Sequence, residues 1–315
     1  MSNKWIIAIR PRTLPLSSSG VILGIVLGFS YLLTKNPTYL HENLISIIAS
    51  AIFILITAVL LQVLSNFAND FGDAKSGVDN PNRVGPKRGL VTGAMTLEEL
   101  KKGIIVVTAI TIFSGIIAVG LAFFKEPMLL ISFLGIGLLA IIAAITYTVG
   151  IVYGYKGLGD ISVFIFFGLV SVLGAQFMIS KELTLESYLL ASLSGFMSVM
   201  VLNVNNLRDF KSDILTGKNS LVVKMGLKGG KIYHLSLLIL SLALILSLLI
   251  ILSNLWASVL IILASILYVK SGVFCINPKN IDGVLDPMLK KTSIGACIIN
   301  LTFSLIVLLL SFNIL

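Results

Sequence analysis

The sequence predicts an all-α integral membrane protein of nine transmembrane helices, and three observations carry that prediction. Hydrophobic residues make up 57% of the 315 and charged residues 12%, with a mean hydropathy of +1.04; a soluble domain carries about 25% charged residues. The charges are segregated, leaving uncharged runs at 13–34, 43–69, 103–124, 127–155, 161–180, 187–207 and 292–315. Lys and Arg, finally, are concentrated in alternate connections between those runs.

Each run supplies the roughly 20 residues needed to cross about 30 Å of hydrocarbon at 1.5 Å per residue. The first follows Lys4, Arg10 and Arg12 and so imitates a secretory leader. Pro11 and Pro15 stand at its start, however, and no small-x-small cleavage pattern follows, so a retained first helix is expected. One further run, 235–269, is too long for a single crossing. Its Ser253-Asn254 pair, with Trp256 just after, predicts a tight turn at an interface and two helices. The count is nine, in a single domain over 1–315.

With the N-terminus inside, the inner connections hold twenty of the 23 Lys and Arg residues, and the outer ones hold Lys35, Lys125 and Lys181. The positive-inside rule then places the N-terminus in the cytoplasm and the C-terminus outside; a bacterial inner membrane is the expected location. This bias, together with anionic lipid headgroups, accounts for the formal charge of +9. A nucleic-acid partner would need a concentrated basic face with no membrane explanation. Cys275 and Cys297 lack metal-ligand spacing and read as packing residues.

The outer connections are short and the inner ones long and polar, so function is expected at the cytoplasmic face. The first polar cluster ends the second helix. Asn66, Asn69, Asp70 and Asp73 fall at i, i+3, i+4 and i+7, one face of a helix, and Asp79 follows. The second cluster ends the sixth helix, with Asp209 and Asp213 at i and i+4 and Asn205 and Asn206 about a turn before. Stacked carboxylates repel one another and favour a cation. An all-oxygen set suits Mg²⁺, which keeps waters and completes its shell with substrate phosphate.

Basic residues follow both clusters: Arg83, Lys87 and Arg88 after the first, Lys218 and Lys224 after the second, with Arg208 inside it. All five arginines lie on the inner side, and Arg83, Arg88 and Arg208 are candidate phosphate contacts. Acid for metal and base for phosphate, repeated twice, is what ionisation of a diphosphate ester requires, because the leaving diphosphate gains charge as its C–O bond breaks. The third inner connection carries Tyr147, Tyr153, Tyr155, Lys156 and Asp160. Its tyrosines suit an aromatic acceptor or an allylic cation equally as well as a simple interfacial belt.

At these residues the sequence resembles the UbiA superfamily of membrane prenyltransferases, whose Asn-Asp-x-x-Asp and Asp-x-x-x-Asp motifs are matched by Asn69-Asp70…Asp73 and Asp209…Asp213. Within it the chain looks most like the branch that prenylates 1,4-dihydroxy-2-naphthoate in menaquinone synthesis. The run from Arg10 through Arg12 to Leu16, Gly-Pro-Lys-Arg at 85–88 with Thr92-Gly93, the stretch 153–160, and Asn205–Asp209 with Gly217-Lys218 all resemble that branch. Gly77 stands where the wider superfamily often has a third Asp, with Asp79 the nearest substitute, and Asp160 stands where the branch often has Glu. The resemblance implies a UbiA-type bundle around a cavity open to lipid, with cytoplasmic cap loops. It implies a polyprenyl diphosphate donor, a dihydroxynaphthoate acceptor, Mg²⁺, loss of CO₂ and diphosphate, and demethylmenaquinone as product. Catalytic roles fall to Asp70, Asp73, Asp209, Asp213, Tyr147 and Asp160, and metal ligation to the same four motif aspartates with Asp79. Substrate binding falls to Arg12, Asn66, Asn69, Arg83, Lys87, Arg88, Tyr153, Tyr155, Lys156, Asn205, Asn206, Arg208 and Lys218.

Rival readings change the acceptor, to 4-hydroxybenzoate, haem, a chlorophyllide or a glyceryl phosphate, or make the chain an ion-coupled transporter. Inverted-repeat carriers place matching motifs at the midplane or on opposite sides, whereas here both clusters are expected on one side.

Overall fold

The computed structural model describes residues 4–78 and 88–314. Among them are nine helices long and apolar enough to cross a membrane, as expected: α1 (Lys4–Lys35), α2 (Pro37–Lys75), α3 (Leu97–Phe123), α4 (Pro127–Thr146), α5 (Gly159–Ser180), α6 (Leu185–Arg208), α7 (Leu221–Leu252), α8 (Leu255–Ile276) and α9 (Asp282–Ser311). No strand occurs among the described residues. Asp79, Arg83 and Lys87 lie outside them.

The helix ends are written in local chemistry. Asn36, Ser220 and Asn254 accept from the first-turn amides of α2, α7 and α8, and Thr96 and Thr184 form capping boxes for α3 and α6. Each cap satisfies an amide that the helix itself leaves without a partner. The turn expected at Ser253-Asn254 is present: Ser253 takes a left-handed conformation, and the side chain of Asn254 accepts from the amide of Ala257 at 2.9 Å.

Helix α6 is the most enclosed. Leu193, Met197 and Met200 pack with Leu23 of α1, Tyr268 of α8 and Phe303 of α9 into the main core. The periphery is apolar outward, with Phe113, Leu139, Leu246 and Ile262 exposed, as a surface facing hydrocarbon requires. Cys275 is buried and neither cysteine forms a disulfide.

Two helices depart from regular α geometry where they border the central space. Helix α1 breaks at Arg10, which adopts φ 54 and ψ 67 ahead of Pro11. Asn66 of α2 fills the gap by donating its amide to the Ile9 carbonyl at 2.8 Å and to Thr13 Oγ1 at 3.2 Å. Helix α5 is π-helical over Phe164–Gly174, which nothing in the sequence predicted. There α5 and α6 touch backbone to backbone: a Cβ on Gly168 would fall 2.6 Å from the Gly195 Cα. The Phe167 carbonyl accepts from Ser194 of α6 at 3.2 Å. Such π segments frequently occur at functional sites, and this one forms a wall of the cavity described next.

Candidate active site

A cavity of about 1040 Å³ runs down the bundle. Its polar end is ringed by Arg10, Arg12, Asn69, Asp73, Arg88, Tyr147, Tyr155, Asn205, Asn206 and Lys218, and its shaft by apolar residues of α3, α4 and α5. At the far end Phe133 and Phe177 stack at 5.7 Å with Phe123 beside them. An ion pair between Glu126 and Lys181 joins the two connections there.

Both aspartate clusters lie at the polar end. Helix α2 is continuous to Lys75, so Asn66, Asn69, Asp70 and Asp73 do share one face. The second cluster is not a simple continuation of α6. The helix breaks at Asp209, and a short helix over Phe210–Leu215 carries Asp213. The i, i+4 relation survives because the Asp213 amide still donates to the Asp209 carbonyl at 2.8 Å.

The four aspartates have different partners. Arg10 hydrogen-bonds to Asp70 Oδ1, and the Arg88 guanidinium lies 3.3 Å from the same oxygen. Asp209 is gripped by Arg208 through two bonds of 2.7 Å. Asp73 accepts from the Tyr155 hydroxyl at 2.5 Å. Asp213 has Lys218 at 3.4 Å from Oδ1, while its buried Oδ2 has no partner. Burial pushes the Asp213 carboxyl up to about 6; Lys218 opposes the rise, and the charges of Asp209 and Asp73 add to it.

The third connection closes the cap between the clusters. Tyr155 reaches Asp73 through its hydroxyl, and its carbonyl accepts from the Asn219 amide at 2.9 Å. Lys218 sits 5.9 Å from its ring centroid. Burial first, then Asp73, pushes its phenol well above the ordinary value, so the proton stays on. Tyr147 is raised in the same direction by burial and then by Asp160, Tyr153, Asp73 and Asp213. Gly154 allows the loop to lie on the Tyr147 ring, since a Cβ there would come 2.5 Å from the ring edge.

Other expected residues are placed less directly. Asn66 is buried behind the site, holding the α1 break. Tyr153 lines the cavity, but its hydroxyl bonds to the Ala143 carbonyl and to Ser162. Lys156 is exposed and does not line the cavity; its carbonyl accepts from Lys224 at 2.5 Å. Asp160 is buried against Tyr233 with Oδ1 unpartnered, outside the cavity lining. Arg208, expected at phosphate, commits its guanidinium to Asp209, Asp286 and Asn205. Sequence reasoning passed over Gln62, Ser17 and Ser293, which also line the cavity; Ser17 stands in a serine run and Ser293 follows two lysines, while Gln62 extends the Asn66 face by one turn.

Among the described residues no three carboxylate, imidazole or thiol side chains converge into a ready metal cage. The donor set still fits a divalent cation that draws part of its shell from water and phosphate. It offers a buried, unpartnered carboxylate oxygen on Asp213, within electrostatic reach of Asp209 and Asp73.

The profile of the UbiA prenyltransferase family matches residues 20–282. The 1,4-dihydroxy-2-naphthoate octaprenyltransferase of Haemophilus influenzae is 39% identical, covering 96% of this chain and 94% of the relative. The Escherichia coli K12 protein of the same name is 41% identical with the same coverage. Among solved structures, a UbiA homolog from Archaeoglobus fulgidus bound to DMAPP and Mg²⁺ superposes with a TM-score of 0.61 at 17% identity, over 94% of this chain and 99% of that one. A digeranylgeranylglyceryl phosphate synthase gives 0.57 at 21% identity, over 96% of each. At those identities the two structures bear on the fold.

Proposed function

This chain belongs to the UbiA prenyltransferase family, and from that premise we propose that it transfers a polyprenyl group from a polyprenyl diphosphate to 1,4-dihydroxy-2-naphthoate, with release of CO₂ and diphosphate. The observation that carries the reading is the meeting of two aspartate clusters and their bases at the mouth of a long apolar cavity. The headgroup and the tail of such a donor need these two environments side by side.

Asp73, Asp209 and Asp213 would hold Mg²⁺, with Asp79 a further candidate and Asp70 held by Arg10 and Arg88. When bound, the ion supplies neutralising charge for the leaving diphosphate. Arg88 and Lys218 flank the same place and favour the extra negative charge as the C–O bond breaks. Arg208 keeps Asp209 in position. Tyr147 and Tyr155 line the cavity with their phenols protonated and would offer electron-rich rings to an allylic cation.

The bonding pair of the breaking C–O bond leaves with the diphosphate, and the acceptor ring carbon bearing the carboxylate forms the new C–C bond. The carboxylate then departs as CO₂, its bonding pair restoring the aromatic ring. The product that balances is the dihydroxy form of demethylmenaquinone; the quinone follows on loss of two electrons and two protons. The charge bias supports a cytoplasmic active site, and the bacterial relatives support the inner membrane as its location.

The test incubates membranes containing the protein with a polyprenyl diphosphate, Mg²⁺ and carboxyl-labelled dihydroxynaphthoate. Labelled CO₂ should appear in step with prenylated product. Prenylated product with no CO₂, or faster turnover of 4-hydroxybenzoate, would overturn the naphthoate assignment.

A further inference from the structure

Gln62 lies on α2 one turn before Asn66, is 8% exposed, and lines the polar end of the cavity. A chain of hydrogen bonds fixes which way its amide points. The Ile9 carbonyl can only accept, so Asn66 must give it Nδ2, at 2.8 Å. Asn66 Oδ1 is thereby left as an acceptor, and it takes the Gln62 Nε2 at 3.1 Å. Gln62 Oε1 is therefore the free end, buried and without a partner. A buried amide oxygen in that state calls for a donor.

The two substrates of the proposed reaction differ in what they offer it. An ionised diphosphate only accepts hydrogen bonds, and a polyprenyl tail makes none. The hydroxyls of the aromatic acceptor are the donors. We infer that Gln62 Oε1 receives a hydroxyl of the aromatic acceptor and so places the ring beneath the aspartate cap, between α1 and α2. The assignment rests on the prenyl-transfer reading and adds to it a residue that selects hydroxylated rings. The bond also strengthens during reaction: as the ring attacks, electron density drains from the hydroxyl oxygen and its proton becomes a better donor. The amide oxygen is too weak a base to remove that proton, so Gln62 binds and stabilises without acting as the base.

The experiment uses the full chain in lipid nanodiscs, comparing the native protein with Gln62→Leu and Gln62→Met. Both substitutions keep side-chain bulk and remove the oxygen; the second covers the case in which branching at this position disturbs folding. The acceptors are dihydroxynaphthoate and its two monomethyl ethers. Loss of one hydrogen bond, with the substrate hydroxyl left unsatisfied, should raise the KM for dihydroxynaphthoate about ten- to a hundredfold. The KM for the prenyl diphosphate should stay within about twofold, and one of the two ethers should lose its disadvantage in both variants. Unchanged acceptor KM in both variants overturns the assignment. So does an equal loss on both substrates, which would show Gln62 acting through Asn66 on the donor end. A native protein that releases no CO₂ from dihydroxynaphthoate fails at the earlier step and removes the naphthoate reading itself.

Discussion

The Tyr155 hydroxyl donates to Asp73 Oδ1 at 2.5 Å, across 82 residues of sequence. The same tyrosine accepts from the Asn219 amide and lies under Lys218, so one residue of the third connection touches both aspartate-bearing segments. Tyr155→Phe keeps the ring and removes the link. A hydrogen bond to a charged group contributes about 1.5–3 kcal/mol, so kcat should fall about ten- to a hundredfold, and half-maximal activity should require more Mg²⁺. A Mg²⁺ titration of both proteins measures this; superimposable curves would remove Tyr155 from the metal end of the site.

Asp73→Asn, Asp209→Asn and Asp213→Asn should each abolish turnover. EDTA should silence the native enzyme, and added Mg²⁺ should restore it. The fit of this donor set to a cation depends on the charge at these positions and on the unpartnered Asp213 Oδ2. Size-exclusion profiles in detergent should match the native protein. Full turnover in EDTA would contradict the metal assignment.

Arg88→Ala and Lys218→Ala should weaken use of the prenyl diphosphate by about ten- to a hundredfold, the loss of one charge-assisted hydrogen bond. Acceptor KM should change little. Steady-state kinetics with each substrate varied in turn separates the two effects, and equal losses on both would deny these bases a phosphate role.

Arg208→Met should act on stability more than on substrate affinity. The native guanidinium is buried and binds Asp209, Asp286 and Asn205. Removing it takes away both 2.7 Å hydrogen bonds that Arg208 gives the buried Asp209 carboxylate, and loss of one partner of a buried ion pair costs about 3–5 kcal/mol. Thermal unfolding in detergent should show the loss. An unaltered Tm with a raised donor KM would restore Arg208 to the phosphate contacts.

Sidedness is checked by cysteine labelling in a background lacking Cys275 and Cys297. Cysteines placed at Ser76 and Ser212 should resist an impermeant thiol reagent in intact cells and react in inverted vesicles. A cysteine at Asn36 should do the reverse. Labelling of Ser76 and Ser212 from opposite sides would be incompatible with both clusters gripping one diphosphate.

The nine helices were legible because apolar length is a local property, and so was the split at Ser253-Asn254, where a polar pair interrupts a run too long to cross once. The shared face of Asn66, Asn69, Asp70 and Asp73 followed from helical spacing alone. The partners of those residues were not legible. Whether Arg208 faces phosphate or Asp286 depends on where α9 begins in space, and that Asn66 supports the break at Arg10 depends on how α1 and α2 pack. The π-helical stretch of α5 leaves no mark in a run of Phe, Val and Leu. Gln62 stands four residues before Asn66 and so extends the same helix face, but the polar cluster was read only from Asn66 onward.

Helix α2 has 39 residues, about 58 Å of helix at 1.5 Å per residue, against about 30 Å of hydrocarbon. Its length has a bearing on how a lipid-borne substrate is met. With the aspartates in the last turns of an overlong rod, the proposed site would put the ionic half of the reaction at the water interface and leave the tail at its own depth in the bilayer. A donor diffusing in the plane of the membrane then arrives already oriented, with one translational and two rotational freedoms restricted before contact. Its diphosphate is never drawn into hydrocarbon, where an unpaired charge costs several kcal/mol or more. The encounter becomes a search in two dimensions, and its rate should scale with the surface density of the donor in the membrane rather than with its bulk concentration.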